Sequence, residues 1–131
     1  MIIEIDTLGL SPIYEQLRNQ VVLGIASNKL VPGEALPSVR RLAADLGINF
    51  HTVNKAYTLL CEEGYIKMDR RKGAVVAQSL KNNEFFFDNY LQGLMLNAAE
   101  AICHKINEKE FVTHCRNQYQ NALGKKVNGG K

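Results

Sequence analysis

Tryptophan is absent from the 131 residues, and cysteine and proline number only three each. Cys61, Cys103 and Cys115 are odd in number and irregularly spaced, so they make no disulfide framework, and without a CxxC pair there is no zinc knuckle. No apolar run approaches the ~18–20 residues that a membrane span requires. The opening residues Met1-Ile2-Ile3-Glu4-Ile5-Asp6 carry acids where a secretory signal has a basic region. These absences lead to the expectation of a reduced, cytoplasmic protein with no membrane partner. A Gly-rich phosphate loop, a paired-carboxylate motif and a triad-like arrangement are missing too, so neither an enzyme nor a cofactor is expected. The length suits one compact domain, or a small domain with an appendage, and excludes large multi-domain enzymes and most cofactor folds built from two halves.

Neither sign of charge dominates: Lys+Arg number 16 and Asp+Glu 13, a net +3. Such mild basicity permits a nucleic-acid partner without demanding one. What the chain does have is the 46% hydrophobic content of a folded protein, arranged with clear periods. After a short extended arm at Ile2 to Ile5, Ser11 is expected to cap a helix with Pro12 as its first residue. Ile13, Leu17, Val21 and Ile25 give that helix one apolar face, and Asn28, Pro32 and Gly33 end it. A second helix starts at Pro37-Ser38, carries Val39, Leu42, Ala43 and Leu46 as its stripe, and stops at Gly47. Asn49 caps a third, with Val53, Ala56, Tyr57 and Leu60 at helical spacing and an end at Glu63-Gly64. Tyr65 to Met68 and Ala74 to Ala77 flank a polar turn and predict a β-hairpin.

The span from Val39 to Ala56 predicts two short helices joined by a tight turn. Ala43 is small where the helices cross, Gly47 accepts a positive φ, and Val53 fills the wedge between them. That leaves Asn49, Phe50, His51, Thr52, Asn54 and Lys55 outside. A helix-turn-helix sets such residues in the major groove, where Asn pairs with adenine and Lys with guanine or phosphate. An ordinary corner between two helices is the plainer alternative. The hairpin shifts the balance, because Arg70-Arg71-Lys72-Gly73 stands at its tip, where cations of a winged helix neutralise phosphate. Ser38, Arg40 and Arg41 open the first motif helix, within reach of a flanking phosphate.

These residues resemble a known family. Pro12-Ile13-Tyr14-Glu15-Gln16-Leu17, the run from Leu30 through Pro32-Gly33-Glu34 to Pro37-Ser38-Val39-Arg40, Leu42-Ala43 with Leu46-Gly47-Ile48, and Thr52-Val53-Asn54-Lys55-Ala56-Tyr57 followed by Leu60 and Glu63-Gly64-Tyr65-Ile66 are similar to the GntR family of bacterial transcription regulators. Asn49 at the start of the recognition helix, with a short helical C-terminal part, is most similar to the YtrA type. The resemblance implies a winged helix that binds double-stranded DNA, with Arg40 on phosphate or base edges, Asn49, His51, Thr52 and Asn54 at the groove, and Lys72-Gly73 at the wing tip. It also suggests a repressor of the protein's own operon, often one with a membrane transporter. Phe50 departs from the Arg that many members carry there, and Arg71 from the first glycine of the usual Gly-x-Gly wing turn. Both make the operator sequence unpredictable from the family.

From about Leu80 the pattern changes. Lys81-Asn82-Asn83 is expected to cap a long helix, striped by Phe87, Leu91, Leu94, Ala98 and Ile102 with Phe86 and Tyr90 at its edge. Asn107-Glu108 interrupts it, Phe111, Cys115, Tyr119 and Ala122 stripe a shorter helix, and residues 124–131 are expected to be a disordered tail. The fold class expected is therefore mainly α with a small β-hairpin: a winged helix-turn-helix over 1–78, then a two-helix dimerisation segment over 79–123. Two bare amphipathic helices cannot bury their faces alone, so a homodimer through Phe86, Phe87, Tyr90, Leu91, Leu94, Ala98 and Ile102, formed by exchanging helices, is expected. The alternative is that both helices fold back on their own winged helix. Two-fold symmetry would match a palindromic operator, and a small-molecule effector would have to act through the interface or the junction. Cys103-His104 and His114-Cys115, if the turn centres on Lys109, invite a metal or thiol sensor, but adjacent helical residues point ~100° apart and serve one site poorly. No metal is expected. A protein-binding winged helix is the remaining alternative.

Overall fold

A computed structural model describes residues 3–80 and 84–126. The chain divides into two compact units that part between Leu80 and Lys81, two residues beyond the division at 78/79 expected from composition. The first holds helices α1 (Ile13–Ala26), α2 (Val39–Leu46) and α3 (Phe50–Glu62), followed by strands β1 (Ile66–Asp69) and β2 (Gly73–Val76). The second holds α4 (Glu84–Cys103) and α5 (Glu108–Ala122).

Helix α1 begins one residue later than the sequence suggests. Pro12 is the N-cap rather than the first helical residue, and no side chain caps the helix. The Pro12 carbonyl accepts the N–H groups of Glu15 and Gln16, while the Ser11 carbonyl accepts from Gln16 Nε2. Two glutamines one turn apart on α1 hold the N-terminal arm as a strand neighbour would. Gln20 Oε1 accepts the Glu4 N–H at 2.9 Å, and Gln16 bonds both the N–H and the carbonyl of Asp6, at 2.8 and 2.9 Å. Ile3 and Ile5 are thereby laid half-buried against the core.

The second and third helices form as their caps dictate. Ser38 Oγ accepts the Arg41 N–H at 3.1 Å, and Gly47 closes α2 in the left-handed region at φ 66°, which a side chain would resist. Asn49 Oδ1 accepts the His51 N–H at 2.7 Å and opens α3. Between them lies an apolar core: Val53, Ala56 and Leu60 of α3 meet Leu42 and Ala43 of α2 and Leu17 and Val21 of α1, all buried. Full burial of a side chain such as Val53 or Leu60 contributes roughly 1.5–3 kcal/mol. Tyr57 also enters the core, and its hydroxyl donates to the Pro37 carbonyl at 2.7 Å, joining α3 to the residues that precede α2.

The hairpin is shifted by one residue from the expected strands: Ile66 pairs with Val76 and Asp69 with Gly73, leaving a turn of only Arg70, Arg71 and Lys72. Two local features shorten it. Gly73 has φ +76°, and Asp69 Oδ1 accepts the N–H groups of Arg71 and Lys72 at 2.8 and 3.0 Å. The strand edge of β2 is covered by residues 33–36, through Gly33 N–H to the Val76 carbonyl, Val76 N–H to the Glu34 carbonyl and Leu36 N–H to the Ala74 carbonyl. This third, strand-like piece leads directly into α2, so wing and helix-turn-helix are mechanically continuous. Arg18 completes the unit. Its guanidinium makes paired bonds of 2.9 and 3.1 Å to the Glu63 carboxylate and lies 5.4 Å from the centre of the Tyr65 ring. The Glu63 hydrogen bond outweighs partial burial and raises the Arg18 pKa.

In the second unit, the expected cap of α4 at Lys81-Asn82-Asn83 lies outside the described residues, as do 127–131 of the expected tail. The turn between α4 and α5 falls at His104–Asn107, not around Lys109, which is inside α5. Lys105 takes φ 66°, and Asn107 with Glu110 forms a reciprocal capping box that fixes where α5 begins. Cys115, expected on the apolar stripe of α5, is exposed, and His114 is half-buried instead. With the turn at 104–107, the two Cys–His pairs do not lie at equal distances from it. Among the described residues, Ala101 is the one buried position of α4, and α5 has none.

Candidate nucleic-acid interface

The face of α3 opposite the core begins at the helix cap. His51, Asn54, Lys55 and Thr58 follow one another at three- and four-residue spacing and are all exposed, while Thr52 is half-buried and less available than its position in the sequence suggests. Asn49 is exposed, but its Oδ1 is engaged by the helix cap, which leaves the amide nitrogen as its free function. Ser38 is similarly committed to capping α2.

Each cation of this unit has a definite setting. Arg40 stacks over Phe50 at 5.1 Å from the ring centre, so the start of α2 and the start of α3 are joined through their outer side chains. Arg41 is exposed and pairs loosely with Asp45 at 3.8 Å, a pairing worth little in water. Lys55 carries its ammonium 4.1 Å from the Tyr14 ring centre, drawn toward α1 and the flank of the recognition helix. Arg70, Arg71 and Lys72 project from the wing turn and are exposed. Backbone N–H groups of Arg71 and Lys72, with the nearby lysines, hold the Asp69 carboxyl below its ordinary pKa. The tip thus remains a cationic turn closed by one ionised acid. From Ser38 to Lys72 the chain carries seven cations and four acids, a surplus equal to its whole net charge.

A model of the gntR family of bacterial regulatory proteins matches residues 11–76, the whole span from the α1 cap to the end of β2. The chain belongs to the GntR family. Curated relatives are the transcriptional repressor YtrA of Bacillus subtilis (strain 168), 39% identical over 79 residues, and the transcriptional regulator Rv1152 of Mycobacterium tuberculosis, 34% over 76. These alignments take in 60% and 58% of this GntR chain and 61% and 63% of the relatives, so it spans about three-fifths of their length. Among solved structures, YtrA from Sulfolobus acidocaldarius, a GntR-family transcription factor, is 38% identical with a TM-score of 0.64, covering 76% of this chain and 99% of that one. A transcriptional antiterminator from Listeria monocytogenes EGD-e shares the fold along nearly the whole length, with a TM-score of 0.89 over 99% and 98% of the two chains at 24% identity. The YtrA relatives place this GntR protein in the YtrA type, with a winged helix-turn-helix followed by two helices.

Two contributors to this surface carry no obvious mark in the sequence. Tyr14, forty-one positions before Lys55, has no periodic signal that pairs it with the recognition helix. The Arg40–Phe50 stack joins two helices across a turn and is likewise invisible to spacing. Asp69 was legible in principle, because an acid two and three residues ahead of Arg71 and Lys72 is the pattern of a side-chain-capped turn. The second unit contributes a different surface. Phe86, Phe87, Tyr90, Leu91, Leu94 and Ile102 are exposed and Ala98 is half-buried, with Phe86 stacked on Tyr90 at 5.7 Å and Phe87 edge-on to it at 5.9 Å. Cys103 is exposed, and no cluster of three or more His, Cys, Asp or Glu suited to a metal occurs among the described residues. Burial, and then the Glu62 charge, raise the pKa of the half-buried Cys61 thiol and make it a poor nucleophile. No helix among the described residues is long and apolar enough to cross a membrane.

Proposed function

We infer that this GntR protein is a sequence-specific, double-stranded-DNA-binding transcription regulator acting as a homodimer on a palindromic operator. The observation that carries the reading is the exposed polar stripe of α3, mounted on a core shared with a cationic wing. His51, Asn54 and the free amide of Asn49 supply donors and acceptors for base edges. Lys55, set toward the flank by Tyr14, and Arg70, Arg71, Lys72 and Arg41 supply the phosphate contacts that fix register. Repression is the direction of control we assign, in keeping with the repressor YtrA of Bacillus subtilis. The target we assign from the family resemblance is the protein's own operon, with a transporter.

The exposed aromatic and aliphatic face of α4 supports the dimer, since so much apolar surface on a two-helix unit calls for a cover. A second copy presents the same face under a two-fold axis. Selection of bound fragments from a random duplex pool with the full chain tests the assignment. It is expected to return a two-fold symmetric consensus. Asn54→Ala and His51→Ala should then change the preferred bases, since a good side-chain pairing with a base edge is worth about 1–3 kcal/mol of discrimination. Recovery of no consensus, or of the same consensus from both variants, contradicts the groove assignment.

A further inference from the structure

Phe50 stands out from the polar stripe beside it. Helical spacing aligns it with Val53, Tyr57 and Leu60, yet it belongs to the first turn of α3, ahead of the core those residues fill, and 38% of it is exposed. Helical side chains lean toward the N-terminus, so the ring projects off the leading end of the helix. Its orientation is set by polar neighbours: the Arg40 guanidinium lies 5.1 Å from its centre, and the His51 ring meets it edge-on at 5.6 Å and 83°. An aromatic ring is thus fixed at the end of the recognition helix, between a cation and an imidazole.

We propose that Phe50 is a specificity-determining residue that receives the C5 methyl group of a thymine in the major groove. The inference rests on the DNA-binding reading above and deepens it. Nearly everything a base pair offers in the major groove is a hydrogen-bond donor or acceptor; the thymine methyl is the apolar exception. An apolar ring pressed on a polar edge strips water from it and returns no hydrogen bond, an unfavourable exchange. The same ring on a methyl group buries apolar surface on both sides. Arg40, whose guanidinium lies over the ring, steadies it.

Deoxyuridine substitution isolates the methyl, because it deletes that group and leaves every hydrogen-bonding atom of the base pair in place. The probe is the duplex selected from the random pool by the full chain, with its thymines replaced one at a time. One replacement in each half-site should weaken wild-type binding by about fourfold per methyl, the equivalent of ~0.8 kcal/mol at 1.4 kcal/mol per tenfold. Phe50→Ala should bind the thymine and deoxyuridine duplexes equally, and Phe50→Leu, which keeps an apolar side chain, should retain most of the difference. Circular dichroism melting checks that both variants fold, and the wild-type and Phe50→Leu measurements stand without the alanine variant. A consensus without thymine, indifference of the wild type to every replacement, or an equal loss in Phe50→Ala would each overturn the proposal while leaving DNA binding intact. Failure to select any duplex overturns the DNA reading, and this inference with it.

Discussion

Asp69 shows how one residue reconciles opposing demands at the wing. Three consecutive cations repel one another and would splay an unsupported turn, yet the turn is closed because Asp69 Oδ1 accepts two of their backbone N–H groups. Its negative charge is itself repelled by DNA. The two effects separate in a pair of variants. Asp69→Asn keeps a side-chain acceptor and removes the charge, so it should bind duplex DNA more tightly than the wild type at low salt. Asp69→Ala loses the acceptor as well and should bind less tightly than Asp69→Asn, as fluorescence anisotropy with a labelled duplex would register. Because the folded pKa of Asp69 is depressed, the carboxylate's stabilisation of the turn is present above the unfolded value of about 3.9 and disappears as pH falls through the lowered folded value.

At the scale of elements, the junction between α2 and α3 is set by local chemistry and then locked by a distant contact. The local part was readable: Ser38, Gly47 and Asn49 have side chains or backbone freedom that act within three residues, so a linear pattern reveals them. The lock was not. Tyr57 reaches across twenty positions to the Pro37 carbonyl, and residues 33–36 reach across about forty to cover β2, with no periodicity that advertises either. The break between α4 and α5 was readable at Asn107-Glu108, where the apolar stripe is interrupted and α5 begins, whereas a turn centred on Lys109 is not what forms. The position of the break depends on the Asn107–Glu110 capping box, a pairwise signal that outweighs the apparent centre between two Cys–His pairs. The Ser11 cap shifted because Gln16 takes the Ser11 carbonyl and holds the arm.

Tyr57→Phe removes the hydroxyl and should destabilise the first unit by about 1 kcal/mol at neutral pH, measured by urea denaturation. Burial pushes the Tyr57 pKa up to about 12. The unfolded chain releases that proton at about pH 10, whereas the folded one keeps it, so stability falls as pH rises through this window and levels off above it. The Phe variant lacks this contribution, and its deficit relative to the wild type should shrink between pH 10 and 12. An unchanged deficit across the window would show that the hydroxyl is not the group responsible.

For the whole molecule, the two units divide the work: one carries the polar stripe and the cations, the other an apolar face with nothing buried along α5. On the dimer reading, analytical ultracentrifugation of the full chain should give about twice the 14.7 kDa of one copy. Replacing Leu91 and Leu94 together by Glu places charges on the exposed stripe of α4 and should yield a monomer. Such a monomer would keep the winged-helix fold and lose affinity by orders of magnitude, because each half-site must then be held alone. A double variant that still sediments as a dimer would assign the contact to another surface. The C-terminal half was legible as two amphipathic helices, but a pattern of stripes does not state what covers them.

If the winged helix grips DNA through α3 and its cationic wing, binding to the selected duplex must depend on salt in a way set by the wing. Wild type is compared with a variant carrying Arg70→Ala, Arg71→Ala and Lys72→Ala. The wild-type affinity should fall steeply and linearly on logarithmic axes, and the variant should lose about 0.9 of slope for each phosphate contact removed, with the base preference unchanged. Affinity that ignores salt, or an identical slope in the variant, would show that the wing cations do not hold DNA phosphate.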